Sequence, residues 1–208
     1  MIYEFRTYTI APRMQGEFLK RFGEALPKRL EFSRLAAFWT TEIGPLNQVI
    51  HVWEYKDVAE RIKTREAVVK AGIWPPKTHD LIVDMTSEIM IPQPFSPPLA
   101  PSNHGPYFEM RSYVLKAGGT PQMSEMWTKH LPARQKLSPL IGCFTTDHGA
   151  LNQWIHIWAY KSLDERVAIR TKAMQDGIWP PPSTPEKPSP TVKQASKILI
   201  AAPFSPIK

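Results

Sequence analysis

The pentapeptide GIWPP occurs twice in this chain of 208 residues, at 72–76 and again at 177–181. When the chain is aligned with itself at this offset of 105 residues, about 27 of the 75 residue pairs between 2–76 and 107–181 are identical, without a gap. The longest match pairs LNQVIHVWEYK at 46–56 with LNQWIHIWAYK at 151–161. This self-similarity indicates a duplicated structural unit, so the fold must hold two copies of one arrangement.

The hydrophobic pattern within one copy predicts four strands and two helices. Residues 2–10 alternate as a strand does, and apolar residues recur every four positions from Met14 to Leu30. We expect Pro27 to bend or end this helix, and Gly72 with the prolines after it to end the second helix in a left-handed cap. The predicted order is strand, helix, strand, strand, helix, strand, at about 2–10, 14–30, 36–43, 48–55, 58–69 and 81–91.

This βαββαβ order is the ferredoxin-like arrangement, in which helices cover one face of a four-stranded antiparallel sheet. The other face also needs cover, and two such units in one chain provide it if their sheets pack face to face. We therefore predict an α+β fold of two tandem ferredoxin-like units that form a fused barrel. The first half spans 1–98, a proline-rich linker spans 99–105, and the second half spans 106–208.

Composition bears on the compartment in which the protein is expected and on the partners that it is expected to bind. The apolar runs are too short for a membrane span, and the N-terminus has no signal-peptide pattern. The single cysteine, Cys143, excludes an intramolecular disulfide and a cysteine-rich metal site. The net charge of +7 is spread along the chain with acidic residues between the basic ones, so nucleic acid is not an expected partner. We expect a cytoplasmic protein without a membrane span.

Four repeated motifs resemble those of the NIPSNAP family, which belongs to the dimeric α+β barrel superfamily. They are E-x-R-x-Y in the first strand, N-Q-x-x-H-x-W-x-Y in the third strand, E-R-x-x-x-R in the second helix and the tryptophan after that helix. The resemblance covers nearly the whole chain, once in each half, and implies a half-barrel that normally dimerises. The duplication would then be a fused dimer, and further homo-oligomerisation stays open. No single reaction is implied, because related barrels include cofactor-free monooxygenases, haem-binding and haem-degrading enzymes and lactone isomerases.

The alternation of side chains along the strands selects candidate site residues. In the first strand Tyr3 and Phe5 face one way, and Glu4 and Arg6 face the other. We assign the apolar face to the helices and the polar and aromatic face to the barrel interior, where mostly apolar walls with a few polar groups suit a small-molecule ligand. The predicted catalytic residues are His51, Arg6 and Tyr8, and the predicted binding residues are Glu4, Trp53, Tyr55, Glu109, Arg111, Tyr113, His156, Trp158 and Tyr160.

Each of these residues also has a purely structural interpretation. Glu4 and Arg6 can form a buried ion pair that fixes the register of the two halves. His51 can hold a hydrogen bond in the core instead of acting as a general base, for which its ordinary pKa of about 6.5 suits it. Trp53 and its counterpart Trp158 can be packing residues. The residue types alone leave both interpretations open.

The second helix and the histidines bear on ligands and metals. Arg61 and Arg65 lie one turn apart and can clamp a phosphate or carboxylate, although pairing with Asp57 and Glu60 on a solvated face is the simpler arrangement. No second histidine or carboxylate stands at a metal-ligand spacing in the strand of His51, so no metal site is predicted. No cofactor is predicted either, with haem left open by the resemblance.

The two halves differ at positions that bear on a pocket. Val49 on the face of His51 becomes Trp154 in the second half, which would partly fill the space there. We therefore predict that the cavity beside His51 is roomier than the one beside His156.

Two classes of function follow. In the first, the protein binds a small anionic or aromatic molecule in the barrel interior and is a carrier or an enzyme, with cofactor-free oxygenation or isomerisation as the candidate reactions. In the second, it is a non-catalytic interaction or scaffold protein whose barrel is filled by side chains. Whether it is an enzyme is left undecided.

Overall fold

The computed structural model describes all 208 residues and contains the predicted βαββαβ unit twice. The strands and helices are β1 Ile2–Ile10, α1 Gln15–Leu30, β2 Leu35–Ile43, β3 Gln48–Tyr55, α2 Val58–Lys70, β4 Ile82–Pro92, β5 Tyr107–Leu115, α3 Thr120–Gln135, β6 Leu140–His148, β7 Gln153–Tyr160, α4 Leu163–Gln175 and β8 Thr191–Ala201. A short 3₁₀ turn, His79–Leu81, precedes β4. The predicted elements of the first half agree with these bounds to within one or two residues.

All eight strands form one closed antiparallel barrel in the order β1-β3-β2-β8-β5-β7-β6-β4. Each half contributes four adjacent strands, and the halves join at two seams. One seam pairs β2 with β8, with Thr40 opposite Ile200, and the other pairs β4 with β6, with Ile91 opposite Thr145. Because the strands of both halves hydrogen-bond to each other, the predicted pair of facing sheets is a single closed sheet without free edges.

The barrel interior is solid and apolar. Its buried cluster draws on both halves and includes Tyr3, Phe5, Trp39, Ile50, Val52, Met90, Phe108, Met110, Phe144, Ile155, Ile157 and Leu199. The prediction that Glu4, Arg6, Tyr8, His51, Trp53 and Tyr55 face this interior is therefore wrong, as it is for Glu109, Arg111, Tyr113, His156, Trp158 and Tyr160. The alternation was read correctly, but the two faces were exchanged.

The physical reason is that a charged side chain finds partners on the outer face of the barrel but not in its interior. An eight-stranded barrel is just wide enough for side chains to fill it, so a charged group inside would lose its water without gaining partners. On the outside, α2 brings the guanidinium groups of Arg61 and Arg65 towards Glu4. The polar face therefore lies under the helices.

The helices cover the outer face of the sheet and end largely as predicted. Phe18, Phe22 and Leu26 on α1 are buried against the strands. The helix continues past Pro27 to Leu30, so Pro27 does not end it. Gly72 has φ +66° directly after α2, which confirms the left-handed cap.

The sequence PFSP occurs at 94–97 and 203–206, after the last strand of each half, and each copy packs on the other half. Phe204 follows the last strand of the second half but packs on Phe22 and Phe38 of the first half, with ring centroids 5.7 and 5.0 Å apart. The next residue, Ser205, accepts a hydrogen bond from the Phe38 backbone N–H at 2.9 Å. Each half is thus closed by the tail of the other.

The first tail makes the reciprocal contacts. Phe95 stacks on Trp127 of α3 at 6.0 Å, and Ser96 accepts a hydrogen bond from the Cys143 backbone N–H at 2.9 Å. Leu99, in the segment predicted as a linker, is fully buried, and its N–H donates to the Tyr3 hydroxyl. Residues 99–105 are therefore anchored to the barrel at their start.

We predict that Ser205→Ala and Ser96→Ala each lower the free energy of unfolding by about 1–3 kcal/mol, because each leaves a backbone N–H without its acceptor. Chemical denaturation measures the change, and Ser183→Ala, at an exposed site, is the control. Equal stability of all three variants would contradict the tail exchange as a stabilising contact.

Candidate functional site

A cavity of about 670 Å³ lies on the outer face of the first half. It is enclosed by α1, α2, the segment 74–79 and the outer sides of β1 and β4, and we call it the first-half cavity. Its floor carries Arg6, Tyr8, Arg29 and Arg65. The site therefore lies between helices and sheet, outside the barrel where we predicted it.

A buried carboxylate organises one side of this floor. Glu4 is fully buried and accepts hydrogen bonds from Arg6 at 2.8 Å, Arg61 at 2.6 Å and Ser87 at 2.8 Å. Arg65 lies 3.7 Å from the same oxygen. The expectation that Arg61 and Arg65 pair with Asp57 and Glu60 on a solvated face is wrong, because both arginines turn inwards to Glu4.

The pKa of Glu4 shows which interaction prevails. Burial by itself raises the pKa of this carboxyl group, but the hydrogen bond from Arg61 and the charge of Arg6 outweigh burial and hold the pKa at about 2. Glu4 is therefore ionised at neutral pH. Its one negative charge is shared among several guanidinium groups, which leaves the floor of the cavity with excess positive charge.

Arg29 adds a second, independent positive charge. It extends from α1, is 2% exposed, and donates hydrogen bonds to the Tyr55 hydroxyl at 3.0 Å and to Ser33 at 2.6 Å. Its guanidinium lies 4.2 Å from the centre of the Trp53 ring, a cation–π contact. No carboxylate lies within ion-pair distance, and its Nε has no acceptor. Arg29 is thus a buried cation without a carboxylate paired to it.

The candidate residues taken from the sequence did not include Arg29. The sequence contains a signal for this residue, because Arg29 and Ser33 recur as Arg134 and Ser138 in segments that otherwise share few residues. All the predicted site residues lie on strands, whereas Arg29 lies on α1.

The walls of the first-half cavity are mostly apolar. Phe18 and Phe22 of α1, Val68 of α2 and Trp74 line it. Trp74 folds back onto the core, with its ring 5.0 Å from Phe22. A cationic floor under aromatic walls suits a ligand that has an anionic group on an apolar body.

His51 does not line the cavity. It is 1% exposed, packed between Tyr8 at 4.8 Å and Phe38 at 5.6 Å, and its Nδ1 accepts a hydrogen bond from Trp53 Nε1 at 2.7 Å. Burial, reinforced by the charge of Arg6, holds the pKa of His51 well below its ordinary value. The imidazole is neutral and enclosed. This geometry supports a structural role for His51 rather than a catalytic one.

The other candidate residues divide in the same way. Arg6 and Tyr8 line the cavity and are joined by a hydrogen bond from Arg6 Nε to the Tyr8 hydroxyl at 2.7 Å. Glu4, Trp53 and Tyr55 lie behind them and hold the arginines in place. Of the three residues predicted as catalytic, only Arg6 and Tyr8 reach the cavity, and a catalytic role for either stays a prediction.

The second half repeats the network with a smaller cavity. Glu109 accepts hydrogen bonds from Arg111 at 2.9 Å and Arg166 at 2.6 Å, and its pKa is also about 2, because these partners and Arg170 outweigh its burial. The adjacent cavity has about 230 Å³. The first-half cavity is the larger, but neither His51 nor His156 lines the cavity of its half, so the predicted difference between cavities beside the two histidines is not the difference seen here.

The NIPSNAP family model matches residues 3–97 and again 108–206. The chain belongs to the NIPSNAP family. Human "Protein NipSnap homolog 3A" is 31% identical over 215 residues, an alignment that covers 100% of this chain and 86% of the relative. The "Protein NipSnap homolog" of Dictyostelium discoideum is 30% identical over 182 residues and covers 86% of this chain and 78% of the relative.

A solved structure with the whole two-unit arrangement is also similar. The putative monooxygenase from Fusobacterium nucleatum superposes with a TM-score of 0.62 at 10% sequence identity, covering 97% of this chain and 92% of that one. At this identity the likeness shows a shared barrel fold. In this NIPSNAP protein, no helix combines the length and the apolar character needed to cross a bilayer.

We predict that Glu4→Gln reduces the acid sensitivity of the protein. A carboxylate with a folded-state pKa of about 2 and an ordinary value of 4.5 stabilises the fold above pH 4.5, and this stabilisation is lost as the pH falls towards 2. The loss of unfolding free energy between pH 6 and pH 3 should therefore be smaller by about 2 kcal/mol in Glu4→Gln than in the wild type.

Urea denaturation at several pH values measures this difference. Glu24→Gln, which removes an exposed acid from α1, is the control and should keep the wild-type pH dependence. If Glu4→Gln lost as much stability as the wild type on acidification, the buried ion network would not be the acid-sensitive element.

Proposed function

We propose that this NIPSNAP protein binds a small molecule with a carboxylate or phosphate group and an apolar or aromatic body in its first-half cavity. The anionic group would lie on Arg6, Arg29 and Arg65, and the body against Phe18, Phe22 and Trp74. This replaces the barrel interior, which is packed, as the expected place of binding.

The observation that carries the proposal is the imbalance of charge beneath the cavity. Arg6, Arg29, Arg61 and Arg65 are set against the single buried carboxylate of Glu4. The carboxylate that lines the cavity, that of Asp84, is exposed. Taking a cation out of water is expensive unless a counter-charge is supplied, and Arg29 has only hydroxyl and ring partners. A bound anion would supply the missing charge, and guanidinium groups suit the paired oxygens of carboxylates and phosphates.

The size and walls of the cavity agree with this ligand. About 670 Å³ lies within the range of roughly 300–1,000 Å³ that is usual for small-molecule sites. Val69, Val83 and Met85 are exposed at its rim and extend the apolar surface outwards. A bare inorganic anion would leave these walls without a partner.

A reaction in this cavity would rely on Tyr8 rather than on His51. The Tyr8 hydroxyl accepts from Arg6 Nε, so its own proton is free to be donated to a carbonyl or oxyanion of a ligand. That arrangement suits an isomerisation or a cofactor-free oxygenation better than hydrolysis, since the Thr78 hydroxyl that lines the cavity donates to the Pro76 carbonyl and not to a base.

The second candidate function is the scaffold protein. It is favoured by one observation, the barrel interior filled by side chains. In that function the arginines would be structural, and the exposed proline-rich segment 180–190 would be one surface for partners.

Calorimetric titration with phenyl phosphate and benzoate tests the proposal. We predict that Arg65→Gln weakens binding of these anions at least tenfold, because Arg65 faces the cavity with part of its charge unused. Lys63→Gln removes the same charge from an exposed site on α2 that does not line the cavity and should bind like the wild type.

Two results would count against ligand binding. One is equal weakening in both variants, which would indicate general charge attraction. The other is failure of the wild type to bind either anion together with no small-molecule adduct in the native mass spectrum of the purified protein, which would favour the scaffold function.

A further inference from the structure

We infer that the second half carries a separate binding site for a small oxyanion, held by Arg111, Arg134 and Arg170. These three arginines line the 230 Å³ cavity of that half, together with Tyr113, Trp179 and Gln194 at its edges. We call it the second-half cavity. The inference does not depend on any ligand being bound in the first half.

Arg134 is the residue that requires an anion here. It is 2% exposed, and its guanidinium donates to the Tyr160 hydroxyl at 3.0 Å and to Ser138 at 2.7 Å. It lies 4.2 Å from the centre of the Trp158 ring, and no carboxylate pairs with it. Like Arg29, it is a buried cation next to a cavity without a counter-charge from the protein.

The surrounding charges point the same way. Glu109 is already shared by Arg111 and Arg166, with Arg170 3.6 Å from its second oxygen. One carboxylate therefore serves three arginines before Arg134 is counted. The unused positive charge faces the second-half cavity through Arg111, Arg134 and Arg170.

The volume favours a smaller ligand in the second half than in the first. The second-half cavity has about a third of the volume of the first, 230 against 670 Å³. Phe18 and Phe22 form aromatic walls in the first half, whereas their counterparts Met123 and Trp127 do not line the second-half cavity. The smaller space therefore suits a small oxyanion better than the larger ligand proposed for the first half.

The mouths of the two cavities also differ, because the residue at this position is apolar in the first half and polar in the second. Met85 stands opposite Tyr8 in the strand register, and Gln194 stands opposite Tyr113 at the equivalent position. A polar amide at the mouth of the smaller cavity can donate a hydrogen bond to an oxyanion, which a thioether cannot. The chemistry that fits is a phosphate, a sulfate or a short carboxylate without an aromatic extension.

Calorimetric stoichiometry tests the inference with inorganic phosphate and phenyl phosphate as probes. We predict that Gln194→Trp, a substitution at an exposed position that would close the mouth, removes one equivalent of bound phosphate or weakens it at least tenfold. The same variant should leave phenyl phosphate binding unchanged. Met85→Trp, the matched change in the first half, should abolish or weaken the binding of phenyl phosphate. It should leave the one equivalent of phosphate in the second-half cavity bound.

Arg170→Gln provides a second variant that does not rely on blocking the mouth, and it should match Gln194→Trp in both titrations. Unchanged phosphate binding in Gln194→Trp and Arg170→Gln would overturn the inference, as would two equivalents of phenyl phosphate bound to the wild type. If phenyl phosphate does not bind at all while one phosphate is lost in both variants, the second site stands and the proposed function of the first half fails.

Discussion

The buried ion network of Glu4, and its repeat around Glu109, is the interaction on which the outer layer of the molecule depends. Glu4 lies on β1 and binds Arg61 on α2 and Ser87 on β4, so a single carboxylate joins the second helix to two strands. Removing a charge from water is unfavourable, and only several short hydrogen bonds compensate for it. The same network brings more arginines to one place than Glu4 can neutralise. Structure and candidate binding site therefore have one cause.

The duplication would let the two copies of this network serve the different ligands that we propose. The residues that hold the arginines are the same in both halves, since Tyr55 and Ser33 recur as Tyr160 and Ser138. The residues that shape the cavity differ, as the replacement of Phe22 by Trp127 shows. Such a division is expected when the buried charges must be satisfied in each half but the walls above them are free to change.

Much of the fold could be predicted because the signals were local. The repeat, the helix stop at Gly72 and the βαββαβ order all rest on spacing and on backbone preference, which act within a few residues. The orientation of the strand faces could not be predicted in this way. Period-two alternation separates Glu4 from Phe5, yet only the distant Arg61 and the width of the barrel decide which one faces inwards. The exchange of the two tails was also hidden, because PFSP carries no sign of the half to which it binds.

Both cavities lie outside the barrel, and the reason is which half contributes the residues of each region. The barrel core is shared, with Trp39 of the first half against Phe108 of the second at 5.8 Å, so a change on one side must be matched on the other. Each outer cavity is lined by a single half and can change without disturbing the common core. A duplicated barrel of this kind can therefore gain new binding properties most readily under its helices, where each half has its own buried arginines.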